Sequence, residues 1–183
     1  MIYLNNYGWN DKLSQLKQES TYNALTHGRI SIVHRTCYEV VSENGLFQCE
    51  LTGNMMYGKS DFELPCTGDW VLFQPFDEHK GIIVDMLPRE RTLYRKKNGT
   101  VADKQAIASY VDKAFIVQSL DDNFNVRRAE RFMVQMQEEN INPVLVFNKA
   151  DLGFDEQKVE EQIRHIARQI PVFFTSIHQP QTI

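Results

Sequence analysis

A carboxylate held at the mouth of a strand can tell guanine from adenine, and the run Asn148-Lys149-Ala150-Asp151 offers one. Asp151 can accept two hydrogen bonds, from the N1 and 2-amino groups of guanine, which adenine does not present in the same arrangement. Good bidentate base readout is worth about 1–3 kcal/mol, roughly ten- to a hundredfold in affinity. Asn148 can brace the loop and face N7, and the Lys149 stem can lie flat against the base. A second run, Thr175-Ser176-Ile177, can meet the base O6 through a backbone N–H, a donor that the side chain of Ile177 leaves in place. Ordinary loop residues match N-K-x-D by chance now and then, but exit from an apolar strand favours the chemical reading.

The elements that must hold these residues are visible as periodicity. Near-continuous apolar runs at 114–117, 144–147 and 172–174 suit the strands of a parallel sheet covered on both faces. Between them, Val126, Ala129, Phe132, Met133 and Met136 form one helical stripe, and Val159, Ile163, Ile166 and Ile170 form another. The resulting β-α-β-α-β unit puts Asn148 and Thr175-Ser176 beyond the carboxyl ends of two strands, where open α/β sheets bind ligands.

The first half of the chain has a different rhythm. Residues 29–41 are rich in Ile, Val, Thr and Tyr, Asn44-Gly45 is a hairpin signal before 46–51, and further strands are predicted over 69–76 and 80–86. So many short strands predict a small closed barrel, the oligonucleotide-binding (OB) fold being the commonest five-stranded solution and an SH3-like barrel its rival. Trp70 and Phe73 read as barrel core. Trp9, Leu13 and Leu16 recur at helical spacing, predicting a short amphipathic helix docked on a neighbouring domain. The expected organisation is a helical arm over 1–25, a barrel over 26–97 and a partial α/β domain over 98–183.

Gly53-Asn54-Met55-Met56-Tyr57-Gly58-Lys59-Ser60 matches the phosphate-loop pattern G-x-x-x-x-G-K-S letter for letter. The Ser of a working phosphate loop must open a helix whose N-terminus receives the phosphates. Ser60 instead leads towards Pro65 and Gly68, which punctuate a loop, and Met55, Met56 and Tyr57 are bulky for a phosphate cradle. This segment is expected to be a barrel connection. No catalytic residue and no metal ligand is assigned in this chain.

Composition sets limits. With 183 residues, 42% of them hydrophobic, two small domains or one large one are within reach. The longest apolar runs are about four residues against the ~18 that cross a bilayer, and the N-terminus lacks the basic start and apolar centre of a secretory signal. A cytoplasmic protein without a membrane segment is expected. Three cysteines, none in a C-x-x-C pair, point to reduced thiols and away from disulfides or a zinc knuckle. The five histidines show no metal-ligand spacing.

A net charge of −4 confines any nucleic-acid contact to a local basic site. Arg89, Arg91, Arg95, Lys96, Lys97 and Lys104 outnumber Glu90 and Asp103 between barrel and sheet, with Tyr94 among them. Such a set can clamp RNA phosphates and stack one exposed base, the plain alternative being a solvated connector. Arg127, Arg128 and Arg131, which share a helix with Glu130, read as a solvated face.

Taken together these residues resemble the ribosome small subunit-dependent GTPase A (RsgA) family, circularly permuted GTPases with an N-terminal OB domain. The likeness is carried by Tyr7-Gly8-Trp9-Asn10, Gly28-Arg29, Gly68-Asp69-Trp70-Val71, Leu87-Pro88-Arg89, Gln105-Ala106-Ile107-Ala108, Val111-Asp112, Phe124-Asn125, Arg127-Arg128, Glu130-Arg131 and the run from Asn148 to Leu152. Ser109-Tyr110 stands where the family usually has Ala-Asn. In that family the guanine motifs precede the phosphate loop, so the resemblance implies that the phosphate loop, switch regions, magnesium ligands and a C-terminal zinc-binding domain lie beyond Ile183. It implies a parent protein that hydrolyses GTP with magnesium, binds the small ribosomal subunit and its rRNA and assists late maturation, acting as a monomer. The guanine-binding set it implies is Asn148, Lys149, Asp151, Ser176 and Ile177. A non-enzymatic RNA-binding module with an α/β interaction domain is the alternative.

Overall fold

The computed structural model describes residues 1–96, 104–122, 124–153, 155–165 and 170–182. They fall into two compact units, Met1–Val111 and Asp112–Ile183. Lys97, Asn98, Gly99, Asp103 and Ile166 lie outside the described residues, as does the side chain of Lys96.

In the first unit, β1 (Thr26–Val33), β2 (Tyr38–Ser42), β3 (Gly45–Leu51), β4 (Trp70–Asp77) and β5 (Lys80–Met86) close a barrel in the order β1-β2-β3-β5-β4. β3 and β5 run parallel and the other neighbours antiparallel. This is the five-stranded barrel of the fold class expected. The β-rich stretch 29–41 is two strands, because the chain reverses at 34–37, where the His34 N–H bonds the Cys37 carbonyl at 2.8 Å. The next hairpin turns on Glu43-Asn44, since Ser42 pairs with Gly45. The signal in Asn44-Gly45 therefore sits one residue late, and Gly45, at φ +127°, opens β3.

The false phosphate loop is the connection after β3. Its only helical turn, Gly53–Met56, ends before the Lys59-Ser60 of the pattern. The Ser60 amide and hydroxyl both donate to Glu63 Oε2, at 2.9 and 2.8 Å, so no helix N-terminus is available there for phosphate.

β4 reads Trp-Val-Leu-Phe without alternation because both of its faces are buried. Val71 and Phe73 join Ile30, Val40, Phe47, Cys49 and Ile83 inside the barrel. Trp70 and Leu72 face outward and meet Leu4, Leu13 and Leu87. Leu13 belongs to the helix α1 (Asp11–Glu19), capped by Asn10, whose side chain accepts the Leu13 N–H. The amphipathic helix thus docks on the barrel of its own unit, and its apolar stripe is what the outer face of β4 covers. Each such large side chain removed from water contributes about 1.5–3 kcal/mol.

Under this arm His27 stacks on Trp9 with ring centroids 4.1 Å apart, its Nε2 buried without a hydrogen-bond partner among the described residues. Burial first, and then the Lys17 cation, lower its pKa below the ordinary 6.5. The unfolded chain therefore takes up the proton before the folded one does. Stability is expected to be complete above pH 6.5 or so and to decline as pH falls from there towards the lower folded value. Chemical denaturation at pH 7.5 and pH 5.5 checks this, and His27→Gln should flatten part of the decline.

Two features tie the connection 57–69 to the barrel. Gly68 adopts φ +94°, and a Cβ on it would lie 2.3 Å from the Ser109 carbonyl oxygen, so only glycine fits. Asp69 is fully buried and accepts from the Cys66 N–H at 2.7 Å and from Arg89 Nε and Nη2 at 2.9 and 2.6 Å. Arg89 also donates to the carbonyls of Phe62 and Leu64. Burial, reinforced by Asp69, pushes the neighbouring Cys66 thiol up to about 12, leaving it an unreactive core group.

The basic stretch is not an irregular connector. β6 (Leu93–Lys96) and β7 (Lys104–Ala108) pair as an antiparallel hairpin, and Thr67 bridges to Ala108. Beyond it Tyr110 takes a left-handed backbone, φ 53°, with its ring buried and its hydroxyl donating to the Pro88 carbonyl. Asparagine, which the resemblance implies at this position, tolerates that conformation readily.

The second unit is a three-stranded parallel sheet, β8 (Lys113–Ser119), β9 (Asn142–Asn148) and β10 (Val172–Thr175), in the order β10-β9-β8. Its crossovers carry α3 (Val126–Glu138), capped by Asn125, and α4 (Glu156–Ile163), capped by Asp155, where α2 denotes the turn Gly53–Met56 above. Ala129, Met136, Val159 and Ile163 are buried with Ile116, Leu145 and Phe147. Arg127, Arg128 and Arg131 are exposed. The sheet expected to be covered on both faces is covered on one: Phe115, Val117 and Phe173 remain 65, 61 and 53% exposed. Both right-handed crossovers of a sheet built in sequential order return over the same side.

Candidate functional site

Three strand ends are brought level by the sheet register, Ser119 pairing with Asn148 and Asn148 with Thr175. The segments that leave these three residues start from one rim, at the carboxyl ends of parallel strands. A pocket of about 150 Å³ opens there, lined by Asn148, Lys149, Asp151, Leu152, Ser176, Ile177 and His178. All five residues of the expected guanine set are among them, although Asn148-Asp151 and Ser176-Ile177 leave different strands.

Each polar group in the pocket has a definite task. Asn148 Oδ1 accepts the Lys149 N–H at 2.8 Å and the Thr175 hydroxyl at 3.5 Å, bracing one loop against the other. Asp151 sits in a short 3-10 turn, Ala150–Leu152, and its Oδ1 accepts the hydroxyl of Ser176. That bond, more than any other influence, holds the Asp151 carboxyl below its usual pKa range, so it is a charged acceptor at neutral pH. Its orientation is towards the Ser176 loop and the pocket.

Ser176 is fully buried and is itself latched. Its N–H donates to Thr182 Oγ1 at 2.9 Å and its Oγ accepts the His178 N–H at 3.0 Å. The amide of Ser176 is therefore committed inside the loop. The next residue, Ile177, is 73% exposed, and its backbone N–H follows the latched Ser176 amide.

Lys149 adds a partner that sequence reasoning did not name. Its ammonium donates to Asp121 Oδ2 at 2.8 Å, across 28 residues of sequence. Asp121 follows the end of β8, and the preceding Leu120 is fully buried with its N–H on the Asn148 carbonyl at 2.8 Å. The usable signal was position: Asp121 leaves the same rim of the same sheet.

The residues expected to touch RNA are scattered in role. Arg89 is committed to Asp69 and the loop carbonyls, with 10% of its side chain exposed. Arg91 lies 3.5 Å from Glu90. Tyr94 meets Phe62 edge-on at 6.1 Å and has the Lys104 ammonium 4.1 Å from its ring centroid. Arg95 is exposed and donates to Gln105 Oε1 through Nε and Nη2 at 3.2 and 2.9 Å. Lys97 and the Lys96 side chain lie outside the described residues. Arg95 also lines a cleft of about 520 Å³ with His34, Arg35, Tyr38, Asp61 and Ile107. Among the described residues no group of three or more His, Cys, Asp or Glu could hold a metal ion. No described helix is long and apolar enough to cross a membrane.

Comparison with known proteins converges on one family. Residues 86–183 match the RsgA GTPase family. The small ribosomal subunit biogenesis GTPase RsgA 1 of Bacteroides thetaiotaomicron is 72% identical over 97% of this chain and 50% of its own length. The RsgA of Opitutus terrae is 30% identical over 92% of this chain and 49% of its own length. The chain thus spans about half the length of the curated relatives it matches. Two solved structures share the fold. YloQ, a circularly permuted GTPase, is 23% identical with a TM-score of 0.54, over 87% of this chain and 54% of that one. YjeQ from Thermotoga maritima is 22% identical with a TM-score of 0.56, over 82% and 51%.

Proposed function

Because the chain belongs to the RsgA GTPase family, we propose that it is the guanine-reading and RNA-touching portion of a cytoplasmic, monomeric GTPase that binds the small ribosomal subunit and assists its late maturation. The observation that carries this reading is the Asp151 carboxylate, charged and held by Ser176 at the rim of the pocket. In this reading a guanine edge meets the second oxygen of the carboxylate, and the Ile177 N–H is the donor to O6.

Roles follow the sequence order. Residues 1–25 act as an arm, 26–97 as the OB barrel that meets rRNA, and 98–183 as the guanine-reading part. RNA phosphates are met by Arg91, Arg95 and the Lys96-Lys97 pair, and Arg89 serves the barrel loop instead. The cleft holding Arg35 and Arg95 over apolar Ile107 supports such contacts, since guanidinium groups beside an apolar wall suit a phosphate next to a base. The uncovered sheet face with Phe115, Val117 and Phe173 supports a larger domain in which hydrolysis takes place. Catalysis of phosphoryl transfer draws mostly on a phosphate cradle and metal. GTP turnover by the 183-residue chain is accordingly expected to be negligible.

The test is calorimetry on the protein extended to the length of its relatives. GDP is expected to bind about ten- to a hundredfold tighter than ADP. Equal affinities would end the guanine reading and leave the RNA-binding module.

A further inference from the structure

We propose that Asp121 is a positioning residue of the guanine pocket, holding the Lys149 ammonium so that the lysine stem lies along the pocket wall and stays off Asp151. This rests on the guanine reading above and adds to it a residue outside the N-K-x-D run.

The backbone of Lys149 is left-handed, φ 62° and ψ 36°. A residue with a Cβ is strained there, and such strain persists where the surroundings over-determine it. Two bonds do so. Asn148 Oδ1 takes the Lys149 N–H at 2.8 Å, and Asp121 Oδ2 takes its Nζ at 2.8 Å. The first pins the backbone and the second pins the far end of a four-carbon stem. Between them the stem has little freedom left to lose when a flat base settles on it, which is how a pre-formed wall raises affinity.

Asp121 has a second consequence. Lys149 lies close enough to Asp151 to lower its pKa, behind the larger effect of the Ser176 hydroxyl. A lysine released from Asp121 has Asp151 as its nearest alternative anion in the pocket, and an ammonium seated there would occupy the acceptor that guanine must use. Asp121 is well placed to prevent this because Leu120, buried and bonded to the Asn148 carbonyl, fixes the chain one residue earlier. With 51% of the lysine and 21% of the aspartate side chain exposed, the pair is a weak contributor to stability, so its effect should appear in binding.

The test is titration of guanosine 5′-monophosphate into the 183-residue chain, followed by amide NMR, for the wild type, Asp121→Ala, Asp121→Glu, Lys149→Met and the D121A/K149M pair. Asp121→Ala is expected to weaken binding about five- to tenfold with an unchanged melting midpoint, and Asp121→Glu to restore most of the loss. In the K149M background the alanine substitution should have no further effect, because the interaction it removes is already gone. Wild-type binding that Asp121→Ala leaves unchanged would overturn the proposal alone, as would an equal loss in the K149M background. Absence of any guanine binding by the wild type would overturn the guanine reading and this proposal with it.

Discussion

Replacing Asp69 with alanine is expected to destabilise the Met1–Val111 unit by about 3–5 kcal/mol, the cost of leaving a buried charge without its partner. Asp69 is fully buried and Arg89 nearly so, and each is the other's neutralising group. Without the carboxylate, the Cys66 N–H also loses its acceptor, and the guanidinium keeps only the Phe62 and Leu64 carbonyls. Arg89→Ala should cost a similar amount, because the stranded group is then an anion. The melting midpoint of that unit should fall by roughly 13–21 °C in either variant. The double variant should cost less than the sum by about 0.5–3 kcal/mol, since it removes both charges together. Arg89→Ala should leave the salt dependence of RNA binding unaltered, as the guanidinium faces the loop. A midpoint within a degree or so of wild type would show that stranding either charge costs nothing, contradicting their role as each other's neutralising group.

Arg89 also marks where the sequence became opaque. Among Arg91, Arg95, Lys96 and Lys97 it looked like one more surface cation, because nothing local reveals that Asp69, twenty residues earlier, is buried beneath it. The β6–β7 hairpin was hidden for the same reason: charged residues on a short two-stranded ribbon carry no apolar alternation to read. The link from Asp121 to Lys149 exists only through sheet register, which brings the two strand ends level. The barrel strands and the β-α-β-α-β unit were legible because their apolar periods are set by burial, and β4 betrayed its two buried faces by having no period at all. The pocket at the rim was legible because Asn148-Asp151 leaves an apolar strand, which fixes the place of that run. One-sided cover of the sheet was not, since apolar runs report that a face seeks burial and not what buries it.

The second large effect concerns base choice. Asp151→Asn exchanges a pair of acceptors for one acceptor and one donor, which complements xanthine, whose 2-oxo group replaces the 2-amino group of guanine. Guanine affinity is expected to fall about ten- to a hundredfold while xanthine affinity rises, reversing the preference. The amide oxygen can still accept the Ser176 hydroxyl, so the loop that carries the pocket should survive the change. Fluorescent guanine and xanthine nucleotides competed on both variants measure the reversal. Unchanged guanine selectivity would remove Asp151 from base recognition.

The most direct measurement is a crystal structure of the chain with guanosine 5′-monophosphate bound. The base should lie in the pocket with its N1 and 2-amino groups on the Asp151 carboxylate, its O6 at the Ile177 N–H and its face along the Lys149 stem. A base held elsewhere, or seated there with Asp151 turned from its Watson–Crick edge, would contradict the assignment.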